Sequence, residues 1–123
     1  MRSHTPPMNS SQLAVTTMCY CDFPLERALE GVATSGIRSV ELCGSVGYCD
    51  HAAPDRLGPN AGTKVQRLLN QNGLTAVSLS AHADISTEHG LAEFTARLEL
   101  AADIGIPIVI TFSLLPEQTD PAR

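Results

Sequence analysis

Four side chains of types that transfer protons or hold metals lie at, or just beyond, the ends of apolar runs: Glu41, His51, His82 and Asp84. Carboxylates and imidazoles act as general acids and bases, and the same groups bind divalent cations. Glu41 stands between Val40 and Leu42, where a carboxylate is costly unless it is paired or functional. We interpret these four residues as candidates for a substrate pocket.

Each candidate also has a structural interpretation that the sequence leaves open. Glu41 could form an ion pair with Arg38, and His82 could hydrogen-bond to a backbone carbonyl. Asp84 could close a turn or cap a helix. His51 lies in a polar loop, where we expect a solvated side chain.

The cysteines form a separate group of candidate ligands: Cys19, Cys21, Cys43 and Cys49. Four thiolates can hold zinc, but the usual signal is two C-x-x-C pairs, and the first pair in this chain is C-x-C. Cysteine is also among the residues most often buried in a core. We therefore expect this chain to bind no metal, and we keep a small zinc or redox protein as an alternative.

The segments that carry these residues have the character of short, buried strands. Strands are predicted over residues 13–19, 37–43 and 106–112, and along the apolar run that follows Gly73 and ends at His82 and Asp84. The carboxyl ends of parallel strands lie at one edge of a sheet, which is where α/β proteins place their sites. The candidate side chains should therefore gather at that edge.

A helix is predicted between each pair of successive strands. The helices begin near Asp22, Asn60 and Ser86 or Thr87, and glycine ends each of them, at Gly36, Gly73 and Gly105. A weak repeat, glycine followed by a branched apolar residue and then valine, marks all three helix-to-strand junctions. The predicted buried face of the last helix consists of Leu91, Phe94, Leu98, Ala101 and Ala102.

This alternation predicts an α/β fold with a parallel sheet and right-handed crossovers. Two architectures fit: a small doubly wound sheet, or the first half of an eight-stranded (β/α)₈ TIM barrel. The loop after the first strand lacks the glycines of a nucleotide-binding fingerprint, which favours the barrel. A closed barrel needs about 250 residues. We therefore predict a TIM-barrel type truncated to four strands and three helices.

The net charge and the lengths of the apolar runs argue against two classes of function. The formal net charge of −5 argues against nucleic-acid binding, and no apolar run is long enough to cross a membrane. Residues 1–11 predict a disordered lead-in, with the real start possible at Met8, and they lack the apolar core of a secretory signal. We expect residues 12–113 to form the half barrel, residues 114–123 an irregular tail, and the protein to be cytoplasmic.

Three pieces of this chain resemble the sugar phosphate isomerase/epimerase family of xylose-isomerase-like barrels. They are the helix and strand running from Pro24 to Leu42, the segment Ser80-Ala-His-Ala-Asp84, and the helix and strand over residues 100–110. The family also includes abasic-site endonucleases of the endonuclease IV type. The resemblance covers about residues 13–112, and it rests on the order in which the three pieces occur.

The resemblance implies a barrel that moves a proton between neighbouring carbons of a sugar or polyol with the help of a divalent metal: Mn, Mg, Co or Zn. Glu41 then matches the acidic residue that ends the second strand, and His82 the histidine that ends the third. In the endonuclease branch a second histidine, besides the one that ends the third strand, follows the fourth strand. This chain has Thr111 to Ser113 there, which argues against the nuclease activity.

The same resemblance implies that the catalytic centre is incomplete. The shared metal ligands of the family come from the fifth to eighth strands, so we expect this chain to be inactive alone, as a truncated or frame-shifted product would be. An alternative is a half barrel that dimerises through its open sheet edges and binds a small molecule without turning it over.

Overall fold

The computed structural model describes residues 9–112, which form an α/β unit around a four-stranded parallel sheet. The predicted lead-in up to residue 8 and the predicted tail lie outside the described residues. The strands are β1 (Ala14–Thr16), β2 (Ser39–Cys43), β3 (Thr75–Ser80) and β4 (Val109–Ile110). The helices are α1 (Leu25–Thr34), α2 (Pro54–Leu57), α3 (Ala61–Gln71) and α4 (Glu88–Ile104), with short 3₁₀ turns at Ser10–Gln12 and Thr17–Tyr20.

The strands lie side by side in chain order, β1-β2-β3-β4, and every neighbouring pair is parallel. Thr16 is opposite Glu41, which is opposite Ser78, and further along Ser80 is opposite Ile110. A doubly wound sheet reverses its strand order at a switch point, and the four described strands contain no such reversal. The predicted α/β class is confirmed at this level.

The two faces of the sheet differ in what covers them. Val40, Leu42 and Leu79 are fully buried and share one core with side chains of the helices: Leu25, Leu29, Val32, Val65, Leu69, Leu100 and Ala101. On the opposite face Glu41 is only half-buried, and Ile108 and Ile110 are 55% and 39% exposed. Parallel sheets are normally covered on both faces, so this apolar, exposed portion needs a partner layer.

Helix α1 packs against the sheet through one apolar face. Leu25, Ala28, Leu29 and Val32 recur at helical spacing and are all buried. Gly36 follows the helix with φ of +84°, a conformation that residues with a Cβ rarely adopt. Gly73 and Gly105 also have positive φ, so the predicted role of glycine at all three junctions is confirmed.

The strands are shorter than predicted. β1 ends at Thr16 rather than Cys19, because the Thr16 hydroxyl accepts a hydrogen bond from the backbone N–H of Met18 and starts a 3₁₀ turn. β3 ends at Ser80, so His82 and Asp84 lie in the loop that follows it. Because both residues lie in a loop, their side chains do not have to point alternately to the two faces of the sheet.

The predicted buried face of α4 is wrong for most of its members. Leu91 and Leu98 are 52% and 41% exposed, and Ala102 is also exposed, whereas Phe94 is half-buried and Ala101 buried. The face that packs inward instead contains Gly90, Arg97, Leu100 and Ala101. Hydrophobicity alone points to the wrong face because the inward face contains an arginine and a glycine. Among residues 9–112, no helix is long and apolar enough to cross a membrane.

Candidate functional site

A cleft of about 380 Å³ opens beside the carboxyl ends of β2 and β3. We call it the strand-end cleft, and it is lined by Met18, Ser45, Val46, Tyr48, His82, Ala83, Asp84 and Phe112. His82 and Asp84 are the two predicted site residues that the structure brings together in it. Glu41 and His51 are not among the residues that line it.

Backbone hydrogen bonds hold the walls of this cleft in place. The N–H of Gly44 donates to the carbonyl of Ser80 at 2.7 Å, and the N–H of Val46 donates to the carbonyl of His82 at 3.0 Å. These two bonds continue the pairing of β2 and β3 beyond the strands themselves. They bring the loop that carries Tyr48 alongside the loop that carries His82.

His82 has a buried hydrogen-bonding atom in this cleft that the described residues do not satisfy. Its Nδ1 is buried and has no hydrogen-bond partner among residues 9–112. Its ring centroid lies 4.9 Å from that of Phe112, with 38° between the ring planes. A buried ring nitrogen without a partner is unfavourable, so a shift of the His82 or Phe112 ring that brought Nδ1 to a ligand hydroxyl would be favoured.

Asp84 has the structural role that the sequence left open, and it also lines the cleft. Its Oδ1 accepts hydrogen bonds from the backbone N–H and the hydroxyl of Ser86, which closes a turn ahead of α4. Its backbone carbonyl accepts from the Thr87 hydroxyl at 3.1 Å. The exposed carboxylate can still meet a ligand at the rim of the cleft.

Glu41 lies away from the cleft, in the middle of β2. The Ser78 hydroxyl donates a 2.7 Å hydrogen bond to its Oε1 across the two strands. Ser78 precedes His82 by four residues, which corresponds to roughly 13 Å of extended chain. The alternative of an ion pair with Arg38 is wrong, because that guanidinium donates to the carbonyl of Asn72 instead.

His51 is buried, so the expectation of a solvated side chain is wrong. Its Nε2 donates to the carbonyl of Phe23 at 2.8 Å, and its Nδ1 lies 3.8 Å from the Cys49 sulfur. The loop turns inward at this point because Gly44 and Asp50 form an isolated antiparallel bridge. His51 thus belongs to a cluster separate from the strand-end cleft.

The four cysteines are unpaired thiols of very different exposure. Cys19 is exposed on the 3₁₀ turn, Cys21 is half-buried, and Cys43 and Cys49 are buried. Within residues 9–112, no group of three or more His, Cys, Asp or Glu side chains could hold a metal ion. The described donor set therefore does not fit the divalent metal that the family resemblance implies.

Arg97 holds the loop after β2 in place, and the sequence analysis did not identify this residue. This fully buried guanidinium donates from Nε to the Gly44 carbonyl at 2.8 Å and from Nη1 to Glu93 Oε2 at 2.7 Å. Its Nη2 forms an ion pair with Asp50. Arg97 thereby fastens the loop after β2 to α4. The i, i+4 spacing of Glu93 and Arg97 was the available signal.

A groove of about 520 Å³ lies elsewhere, between α3 and α4, and is larger than the strand-end cleft. It is lined mainly by helix residues and lies away from the strand ends, so the strand-end cleft remains the better candidate.

No protein-family model matches the sequence, and no curated protein matches it either.

Proposed function

We propose that this chain forms the first half of a (β/α)₈ barrel of the sugar phosphate isomerase/epimerase type. In this proposal the strand-end cleft is one wall of a pocket for a sugar or polyol. The observation that carries it is the buried, unpartnered Nδ1 of His82 in a cleft at the carboxyl ends of sequentially ordered parallel strands. The motifs that resemble the family support the same reading.

The cleft offers the two kinds of contact that a polyol needs. Phe112 and Tyr48 present aromatic surface to the C–H faces of the ligand, and a shift of the His82 ring brings its buried Nδ1 to one ligand hydroxyl. The Asp84 carboxylate at the rim accepts a second hydroxyl. Glu41, on the open face of the sheet, would face the interior of a closed barrel and contact whatever the completing strands hold there.

The chemistry assigned to the family is proton transfer between adjacent carbons, assisted by a divalent metal. Residues 9–112 contain no group of three or more side chains that could hold this metal, and the resemblance assigns its ligands to the fifth to eighth strands. We therefore expect binding by this chain without turnover. The proposal also includes a cytoplasmic location, where thiols stay reduced. An intact mass of the native product would test whether the chain continues past residue 123.

Binding can be tested by titrating the ¹⁵N-labelled protein with xylitol and with a polyol phosphate. We expect amide shifts in residues 44–48 and 82–86, and their loss in His82→Gln. The matched control is His89→Gln, because the side chain of His89 is 85% exposed and lies outside the cleft. Shifts that persist unchanged in His82→Gln, or no shifts for either probe, would contradict the proposal.

A second candidate is a half barrel that pairs with a second copy and binds a small molecule without catalysis. It is favoured by exposed apolar side chains in and just before β4 and on α4: Ile108, Ile110, Leu91 and Leu98. Two four-stranded units would supply the eight strands of a barrel. Sedimentation should then show a discrete dimer that Ile110→Lys dissociates and the surface change Gln71→Lys leaves intact. A monomer at all concentrations would contradict this candidate.

A further inference from the structure

A cluster of thiols lies beside the strand-end cleft, and the proposed function does not use it. Cys49 is at its centre, where its sulfur lies 3.8 Å from His51 Nδ1, and the thiols of Cys21 and Cys43 are close enough to raise its pKa beyond the effect of burial. The Cys21 thiol also donates to the carbonyl of Tyr48, 3.6 Å away, which sets it against the peptide that precedes Cys49. The cluster therefore joins the turn after β1 to the loop after β2.

His51 provides a base next to the thiol of Cys49. A carbonyl can only accept a hydrogen bond, so the 2.8 Å contact with Phe23 requires the hydrogen of His51 to be on Nε2. In the neutral ring Nδ1 then has a free lone pair, which points toward the Cys49 sulfur at 3.8 Å. Burial, and next the neighbouring Cys21 thiol, raise the pKa of Cys49 well above its ordinary value, so Cys49 stays a thiol.

The three thiols of the cluster differ in access. Cys43 and Cys49 are 0% and 1% exposed, whereas Cys21 is only half-buried. Cys21 also lines a hollow of about 360 Å³, together with His51 and Arg56. A small oxidant can therefore reach Cys21 first, while the other two thiols are shielded.

We infer that Cys21 and Cys49 form an oxidation site for a hydroperoxide, with Cys21 as the attacked thiol and Cys49 as the resolving thiol. In the first step the Cys21 sulfur attacks the distal peroxide oxygen, the O–O bond breaks, and Cys21 sulfenic acid and water or an alcohol result. In the second step the Cys49 sulfur attacks the Cys21 sulfur and gives up its proton to His51 Nδ1. The S–O bond breaks, the leaving hydroxide takes that proton as water, and a disulfide remains.

The disulfide would act on the strand-end cleft through Tyr48, which lies between the two linked segments. Tyr48 is 72% exposed and lines both the cleft and the hollow beside Cys21. Closing the Cys21–Cys49 bond removes freedom from the loop that carries it. This oxidation chemistry does not depend on sugar binding, so either proposal can fail without the other.

The test treats the reduced protein with hydrogen peroxide under native conditions, blocks remaining thiols with N-ethylmaleimide, and maps the peptides by mass spectrometry. We expect loss of two of the four thiols and a peptide pair joined through Cys21 and Cys49. Cys21→Ser should abolish the bridge. The matched control is Cys19→Ser, because Cys19 is exposed two residues away and should be dispensable.

Two further variants test the roles of Cys49 and His51 separately. In Cys49→Ala the reaction should stop after the first step, so dimedone should trap a sulfenic acid on Cys21. In His51→Gln the same adduct should accumulate about tenfold more than in the wild type, because the second step loses its base. A bridge between Cys19 and Cys21, a bridge between Cys43 and Cys49, or bridges only between molecules would overturn the inference.

Discussion

Replacing Arg97 with methionine should be among the most damaging single changes in this chain. The guanidinium is 1% exposed and bonds to Gly44, Glu93 and Asp50. The Asp50 side chain is only 11% exposed, and its Oδ1 already has no hydrogen-bond partner among residues 9–112. Methionine would fill similar volume but leave the Asp50 carboxylate buried without its cation.

The expected cost follows from that stranded carboxylate. Breaking a buried ion pair by removing one partner costs about 3–5 kcal/mol, against a total stability of about 5–15 kcal/mol for a domain. Urea unfolding followed by far-UV circular dichroism measures the loss. The matched control is Arg27→Met, whose pair with Glu30 is 67% and 57% exposed and should contribute less than about 1 kcal/mol.

A double-mutant cycle separates the ion pair from simple loss of packing. Asp50→Asn removes the stranded charge, so adding it to Arg97→Met should recover part of the loss, with a coupling free energy of about 1–3 kcal/mol. If Arg97→Met and Arg27→Met destabilised the protein equally, or if the cycle showed no coupling, then Arg97 would not fasten the loop after β2.

Three further predictions concern single residues. Gly90→Ala should lower the free energy of unfolding by more than about 2 kcal/mol in urea, because the new Cβ would overlap the Asp84 carbonyl oxygen. Thr17→Val should cost about 1–3 kcal/mol in the same assay, because the buried Thr17 hydroxyl accepts the backbone N–H of Cys43 at 2.9 Å. The folded state raises the pKa of Cys49 above its ordinary 9.0, so above that pH only the unfolded chain loses this proton. Wild-type stability should then fall by up to about 1.4 kcal/mol per pH unit faster than that of Cys49→Ala, and parallel pH profiles would contradict the shift.

The backbone plan could be read from the sequence because it depends on local signals. Glycine at Gly36, Gly73 and Gly105 ends each helix with a positive φ, and apolar runs follow each one. These signals act within a few residues, so they survive without knowledge of the tertiary fold. The strand ends were harder to place, because a side-chain cap at Thr16 decides where β1 stops.

The candidate site was only half predictable. The rule that sites lie at strand ends led to His82 and Asp84, and both line the cleft. Phe112 and Tyr48 were missed because their positions depend on the pairing of β3 with β4 and on the bridge within the loop after β2. His51 was misjudged for a related reason: its burial comes from a 2.8 Å bond to a carbonyl 28 residues earlier.

The error on α4 carries information of its own. Leu91 and Leu98 have the spacing of a buried stripe, yet they are exposed, while the inward face accommodates Arg97 through its pairs with Asp50 and Glu93. A surface helix that covers one sheet needs only one apolar face. A second apolar face is expected where another helix packs alongside, as in the outer ring of a barrel.

The exposed side chains in and just before β4 lead to the same conclusion from the sheet. Ile108 and Ile110 belong to the face that lacks the helical layer, and β4 has no neighbour on its outer side among the described strands. Because apolar strands with an open edge tend to pair, this side of the sheet should accept a further strand. The same surface would be covered by a continuing barrel or by a second copy. Ile110→Lys should therefore impair either assembly while leaving the core beneath Val40 and Leu42 intact.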